Sequence, residues 1–241
     1  MTCGKIRFVD TLRSDTPVLL LHGLGATSAV WDGLTGLLDR PWLAPDLPGH
    51  GGSPRLNRYS FGGLAAAVAD SLGDTGPLVV IGHSLGGVVA LTLATGWFGV
   101  DIAGVLAVGV KVAWSEDDLT KAATVAARPA RVFDTREDAE RAYLKTSGLT
   151  GLAPADPAGV TATEGGWRLT LDQAAFAVGA PDMAGLVKAA RCPVVLAAGE
   201  HDQMSRPEHL RTLRADAVTL AGLGHNAHVE NPAAVLALLT G

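Results

Sequence analysis

Four apolar residues, Leu78-Val79-Val80-Ile81, run directly into Gly82-His83-Ser84-Leu85-Gly86-Gly87 and on to Val88, Val89, Leu91 and Leu93. A short apolar run closed by a glycine reads as a strand buried on both faces, and the longer stretch after it reads as a helix. The chain must therefore turn sharply between them. That unit, strand then turn then helix, is the one from which parallel α/β sheets are assembled. It also fixes the environment of Ser84. Gly82 and Gly86 remove side chains that would collide in a strained turn, and the turn pushes the serine hydroxyl towards the first turn of the helix. The simpler alternative is that Ser84 only caps that helix.

The same alternation recurs along the chain. Strand-length apolar runs occupy Ile6–Val9, Val18–Leu21, Trp42–Ala44, Ile102–Val110, Val194–Ala197 and Ala217–Leu220. Helical patterns occupy Phe61–Leu72, Leu85–Thr95, Pro207–Leu213 and Pro232–Leu239, the last two opening on a proline where a first turn tolerates one. This predicts an α/β fold with a doubly wound, mostly parallel sheet of about seven or eight strands flanked by helices. Residues 114–189 break the alternation with acidic, Ala-rich stretches such as Asp117–Ala127 and Arg136–Leu144 and no convincing buried strand. They read as a helical lid inserted into one core, formed by residues 1–113 and 190–241.

Composition excludes several functions. The 241 residues are 48% hydrophobic and 18% charged, with a net charge of −5. No basic stripe is present to follow a phosphate backbone, so nucleic acid is not an expected partner. No apolar run reaches the ~18 residues of a membrane span, and Met1–Asp10 lacks the apolar centre of a secretory signal. A cytoplasmic protein without a membrane partner is expected, as a monomer or a homodimer. Cys3 and Cys192 stand in different contexts, and no disulfide between them is expected. No cofactor is expected either. Gly23-Leu24-Gly25-Ala26-Thr27-Ser28 lacks the third glycine of a dinucleotide fingerprint, and no Walker lysine follows a glycine run.

Several separate motifs resemble the α/β-hydrolase superfamily, in particular its serine carboxylesterase-like members with a lid. The strand–Gly82-His83-Ser84-Leu85-Gly86–helix unit is one. His22-Gly23-Leu24-Gly25 after the strand Val18–Leu21 is another, and Asp46-Leu47-Pro48-Gly49-His50-Gly51-Gly52-Ser53 matches a third. Gly199-Glu200-His201-Asp202 and Gly224-His225 then follow later strands in the family's order. Serine at the nucleophile position departs from the relatives that use aspartate, the haloalkane dehalogenases and epoxide hydrolases.

The resemblance implies a catalytic triad of Ser84, Asp202 and His225. A serine hydroxyl needs a base to take its proton, and the base needs a carboxylate to hold its tautomer. Asp202 and His225 each end a strand and a glycine-rich loop, where α/β sites assemble. His228, one helical turn beyond His225, is the rival base, with packing on the last helix as its plainer role. Glu200 is the nearest rival acid, followed by Glu116 and Asp117. A metal site built from His225, His228 and Glu230 does not fit a zinc spacing, and none is expected. The resemblance further implies loop-bracing roles for His22 and His50, and an oxyanion hole made by the backbone N–H groups of Leu24 and Leu85.

The expected activity is hydrolysis of a small-molecule carboxylester through an acyl-enzyme on Ser84. The alternatives are a carbon–carbon hydrolase or lyase of the same fold, a small-molecule receptor that keeps its triad, and perhydrolysis. Trp114, Phe133, Tyr143 and Trp167, with Phe176, are candidates for lining the substrate pocket, the competing reading being that they form the lid's own small core. Arg128, Arg131 and Arg168 are weaker candidates for holding a substrate carboxylate.

Overall fold

The computed structural model describes residues 15–240. The candidate edge strand Ile6–Val9 and Cys3 lie outside the described residues.

Six strands form one sheet: β1 (Val18–Leu21), β2 (Trp42–Leu43), β3 (Leu78–His83), β4 (Ile102–Val108), β7 (Val194–Gly199) and β8 (Val218–Leu220). Their spatial order is β2-β1-β3-β4-β7-β8, and every pairing is parallel. The count among the described residues is thus six, against the seven or eight expected from the sequence.

Strand periodicity splits the apolar runs between two faces. Leu19, Leu21, Leu78, Val80, Val105, Ala107, Leu196 and Ala198 join one core, together with α2 (Phe61–Leu72), α3 (Leu85–Leu93), α6 (Met183–Ala189) and α7 (Pro207–Leu213). Val18, Leu20, Val79, Ile81, Leu106, Val108 and Ala197 join the other. That face packs on Trp31 and on α1 (Asp32–Thr35), α8 (Ala227–Glu230) and α9 (Pro232–Thr240). α3 is buried along its whole length, which accounts for its lack of a polar face. Local signals fix the ends of the helices. Ser60 caps α2 by accepting the N–H of Gly63, and Pro207 opens α7.

Residues 114–189 contain α4 (Glu116–Ala126) and α5 (Arg136–Ser147), as the sequence suggests, but they are not helical throughout. An antiparallel hairpin, β5 (Val160–Thr163) and β6 (Gly166–Leu169), lies between them and α6, and Phe133 extends it by bridging to Trp167. Its strands, Val-Thr-Ala-Thr and Gly-Trp-Arg-Leu, are mostly half-exposed, so they lack the continuous apolar run that marks a buried strand. The hairpin and α5 enclose a small core of Phe133, Ala139, Tyr143 and Val160.

Candidate active site

The loops that leave the C-terminal ends of β1, β3, β4 and β8 bring Leu24, Ser84, Lys111 and His225 to one cavity, and the loop after β7 brings Asp202 against His225. Among the described residues Ser84 is the one non-glycine with a positive φ, 51° with ψ −114°. Such a conformation costs about 1–3 kcal/mol and persists only where its surroundings impose it. Here the Ser84 N–H donates to the carbonyl of Val108 at 2.8 Å, and the Ser84 carbonyl accepts from the N–H groups of Gly87 and Val88. The flanking glycines have no room for a side chain. A Cβ at residue 82 would lie 2.4 Å from the Gly86 carbonyl oxygen, and one at residue 86 would lie 2.1 Å from that of Leu21.

Asp202 and His225 form a pair. The His225 Nδ1–H donates to Asp202 Oδ2 at 2.8 Å, with the carboxylate sealed from solvent and the imidazole 21% exposed. The other oxygen, Oδ1, accepts the N–H groups of Met204 and Ser205, both at 2.8 Å. Ser205 Oγ in turn donates to the Val110 carbonyl at 2.6 Å, fastening this loop to the end of β4. A donating Nδ1–H leaves the lone pair on Nε2, the nitrogen a base needs free. Ser84 and His225 line the same cavity. Leu24 and Leu85 line that cavity too, and their N–H groups meet no protein acceptor among the described residues. Leu85 is the first residue of α3, whose leading N–H groups have no intrahelical partner.

The other histidines differ from His225 in their surroundings. His22 donates Nδ1–H to the Gly23 carbonyl at 2.8 Å and accepts the Leu47 N–H on Nε2 at 2.8 Å, bracing two loops. His50 donates to the Pro48 carbonyl at 3.1 Å. His83 donates Nε2–H to the carbonyl of His225 at 2.9 Å and packs on its ring. His228 lies between Trp31 and His83, and neither of its nitrogens has a hydrogen-bond partner. Burial disfavours the charged form of all four. It draws His50 and His228 down to about 3, His22 below the ordinary histidine value, and His83 well below it. His225 differs from all of them in having a carboxylate partner. Of the rival acids, Glu200 accepts the Gly222 N–H on an exposed loop, while Glu116 and Asp117 lie in the first turn of α4.

Residues 18–238 match the model of the Alpha/beta hydrolase family. This chain belongs to that family. Among curated proteins it resembles the lipase LipV of Mycobacterium tuberculosis, 43% identical over 81 residues, which are 32% of this chain and 31% of the lipase. It also resembles the pimeloyl-[acyl-carrier protein] methyl ester esterase of Neisseria meningitidis, 46% identical over 79 residues, 32% of this chain and 25% of the esterase. The matches thus span about a third or less of these relatives' lengths. Among solved structures, the thioesterase domain from the curacin biosynthetic pathway superposes with a TM-score of 0.75 at 22% identity, covering 94% of this chain and 91% of that one. An esterase from Mycobacterium tuberculosis superposes with a TM-score of 0.71 at 24% identity, covering 94% and 83%. At such identities these structures bear on the fold.

The cavity of this α/β-hydrolase encloses about 380 Å³. Of the aromatic residues singled out in the sequence, Trp114 and Phe176 line it. Phe133, Tyr143 and Trp167 are placed elsewhere, in and against the small core beside the hairpin. Tyr143 directs its hydroxyl to Thr27 Oγ1 at 3.0 Å, which in turn donates to Asp156 at 2.5 Å. Arg128, Arg131 and Arg168 are absent from the cavity wall, and Arg131 instead covers the ring of Phe133. Lys111, Asp118 and Lys145 line the cavity and were not singled out in the sequence. Lys145 stands in the last turn of α5, just before Gly148, whose φ of 71° ends the helix.

Proposed function

We propose that this protein is a serine hydrolase that cleaves a small-molecule carboxylester through an acyl-enzyme on Ser84, with Asp202 and His225 completing the triad. The observation that carries this reading is the convergence on one cavity of a strained serine and an imidazole held by a buried carboxylate, with Leu24 and Leu85, whose backbone N–H groups are unpartnered, in its wall. His225 Nε2 takes the proton from Ser84 Oγ as the oxygen attacks the ester carbonyl. The resulting oxyanion receives the N–H groups of Leu24 and Leu85, each such donor contributing about 2.7–4 kcal/mol of transition-state stabilisation. His225 returns the proton to the leaving alcohol. It then takes a proton from water, which attacks the acyl carbonyl and releases the acid with Ser84 restored. Residues 114–189 act as the lid, contributing Trp114, Lys145 and Phe176 to the cavity wall.

A panel of p-nitrophenyl esters from acetate to decanoate, with wild type and Ser84→Ala compared, tests the reading. Wild type is expected to hydrolyse the short esters, and Ser84→Ala to lose at least ~10⁴-fold in kcat/KM. Activity that survives in Ser84→Ala would sink the mechanism. A folded wild type without activity on any ester would favour the lyase or receptor reading.

A further inference from the structure

The charge in the wall of the Ser84 cavity is unbalanced. Lys111, Asp118 and Lys145 are the formally charged residues that line it, Lys145 at its solvent-exposed edge. Asp118 is already committed. It accepts the backbone N–H of Ser115 at 3.0 Å, the Ser115 hydroxyl at 2.9 Å and Lys111 Nζ at 2.9 Å. Those donors, the Ser115 N–H foremost, draw its carboxyl down to about 2. Lys111 is thereby neutralised, and it also covers the Trp114 ring at 4.7 Å. Lys145 forms no ion pair among the described residues. One positive charge is left without a counterpart.

The position of Lys145 is set by both loops that carry the reacting groups. Gly148, three residues on, accepts Asn226 Nδ2–H on its carbonyl at 3.0 Å, and Asn226 follows His225. Thr146 packs so closely on the loop of Leu24 that a Cβ at residue 25 would lie 2.9 Å from its Cγ2. The turn bearing Lys145 is therefore held between the oxyanion loop and the His225 loop. Phe61, Val88, Phe176 and Val178 give the same cavity apolar walls.

We propose that the site selects esters that also carry a free carboxylate, with Lys145 as the residue that makes the selection. The proposal rests on the ester-hydrolase reading. The cavity offers an apolar body for the substrate's carbon chain and a single uncompensated cation. A monoanion balances that charge, whereas a neutral ester leaves it unused. The molecule as a whole carries −5, so its average field repels anions, and recognition must come from a local cation.

The test compares mono-p-nitrophenyl glutarate with its neutral methyl ester, which places the charge on the acyl side. It also compares 4-acetoxybenzoate with its methyl ester, which places it on the leaving-group side. In wild type, the ratio of kcat/KM for the anionic over the neutral member should exceed one in at least one pair. Lys145→Glu should lower that ratio about tenfold through KM, and Lys145→Arg should restore most of it. Added salt should shrink it. A ratio unchanged in Lys145→Glu would overturn the proposal. If wild type hydrolyses none of these esters, the ester reading falls separately. Calorimetry with monomethyl glutarate then decides the role of Lys145: binding by wild type that is lost in Lys145→Glu upholds it, and equal or absent binding overturns it.

Discussion

The central strands and the segment 114–189 solve the problem of staying folded in different ways. β3 is buried at every residue and β4 at five of its seven, with α3 fully buried against them. The segment has a core of its own of only four buried side chains, sends Leu149, Leu171, Ala175 and Met183 into the two sheet-face cores, and has no buried residue in α4. α5 packs Ala139 and Tyr143 into the segment's own core, whereas α4 is tied down by Gln173 Nε2–H, which donates to the Val125 carbonyl, and both helices also carry local start signals. α4 begins with a capping box between Ser115 and Asp118, and α5 with Thr135 accepting the Asp138 N–H. Exposed pairs such as Lys121–Asp117 and Arg136–Glu140 add little, because water and salt screen them. The contrast divides the proposed labour. The rigid sheet holds Ser84, Asp202 and His225, while the lightly packed segment supplies part of the cavity wall.

The sharpest way to break this division is to disturb the rigid part without unfolding it. Asp202→Asn removes the acceptor for His225 Nδ1–H and should lower kcat by ~10³–10⁴, leaving the melting temperature nearly unchanged. A small effect on kcat would mean that the pairing does not set the imidazole's tautomer.

A second prediction concerns pH. His50 and His228 fall to about 3 in the folded protein, below the ordinary value of 6.5. The unfolded chain therefore binds more protons between those values, so stability rises with pH there. The neutral-histidine contribution is complete above about pH 6.5 and is lost as pH falls towards 3. At pH 5 each of these histidines costs about 2 kcal/mol relative to pH 8. His228→Leu removes one of them and should flatten the dependence of the melting temperature on pH. An unchanged slope would show that water reaches His228 in solution.

The smallest expected effect sits where the two regions join. Tyr143→Phe removes the hydroxyl that meets Thr27 Oγ1 and should cost about 0.5–1.5 kcal/mol in thermal unfolding. Ester hydrolysis should change by less than about threefold, since the remaining contacts hold the joint. A large loss of activity would show that the segment does more than shape the cavity.

What was legible in the sequence follows the same division. Leu78–Ile81 and Val194–Ala197 declared themselves as strands because burial on both faces demands unbroken apolar runs. Gly82 and Gly86 marked the turn because backbone approaches leave no space for a Cβ. Ser84, Asp202 and His225 were singled out from strand ends and motif order, and the structure brings them to one place. The hairpin at 160–169 is hard to read because its strands are four residues each and mostly half-exposed, with no continuous apolar run. Phe133, Tyr143 and Trp167 announce bulk and apolar character, which do not say whether a side chain lines the cavity or packs in the small core beside the hairpin. Lys145 had no pattern to betray it, since a lysine in the last turn of a helix is unremarkable until its surroundings are known.

The crowd of histidines around His225 has a consequence for where a proton can rest. His83 touches the ring and the carbonyl of His225, and His228 stacks behind His83. These rings touch, but His83 gives its Nε2–H to the carbonyl of His225 and not to its ring. Burial makes transfer of a proton onto either inner ring uphill, because the charged form of His83 or His228 is strongly disfavoured. The inner histidines therefore behave as insulation rather than wire. In the proposed reaction, a proton lifted from Ser84 stays on the one imidazole that faces a carboxylate, and its exit is the leaving group in the cavity.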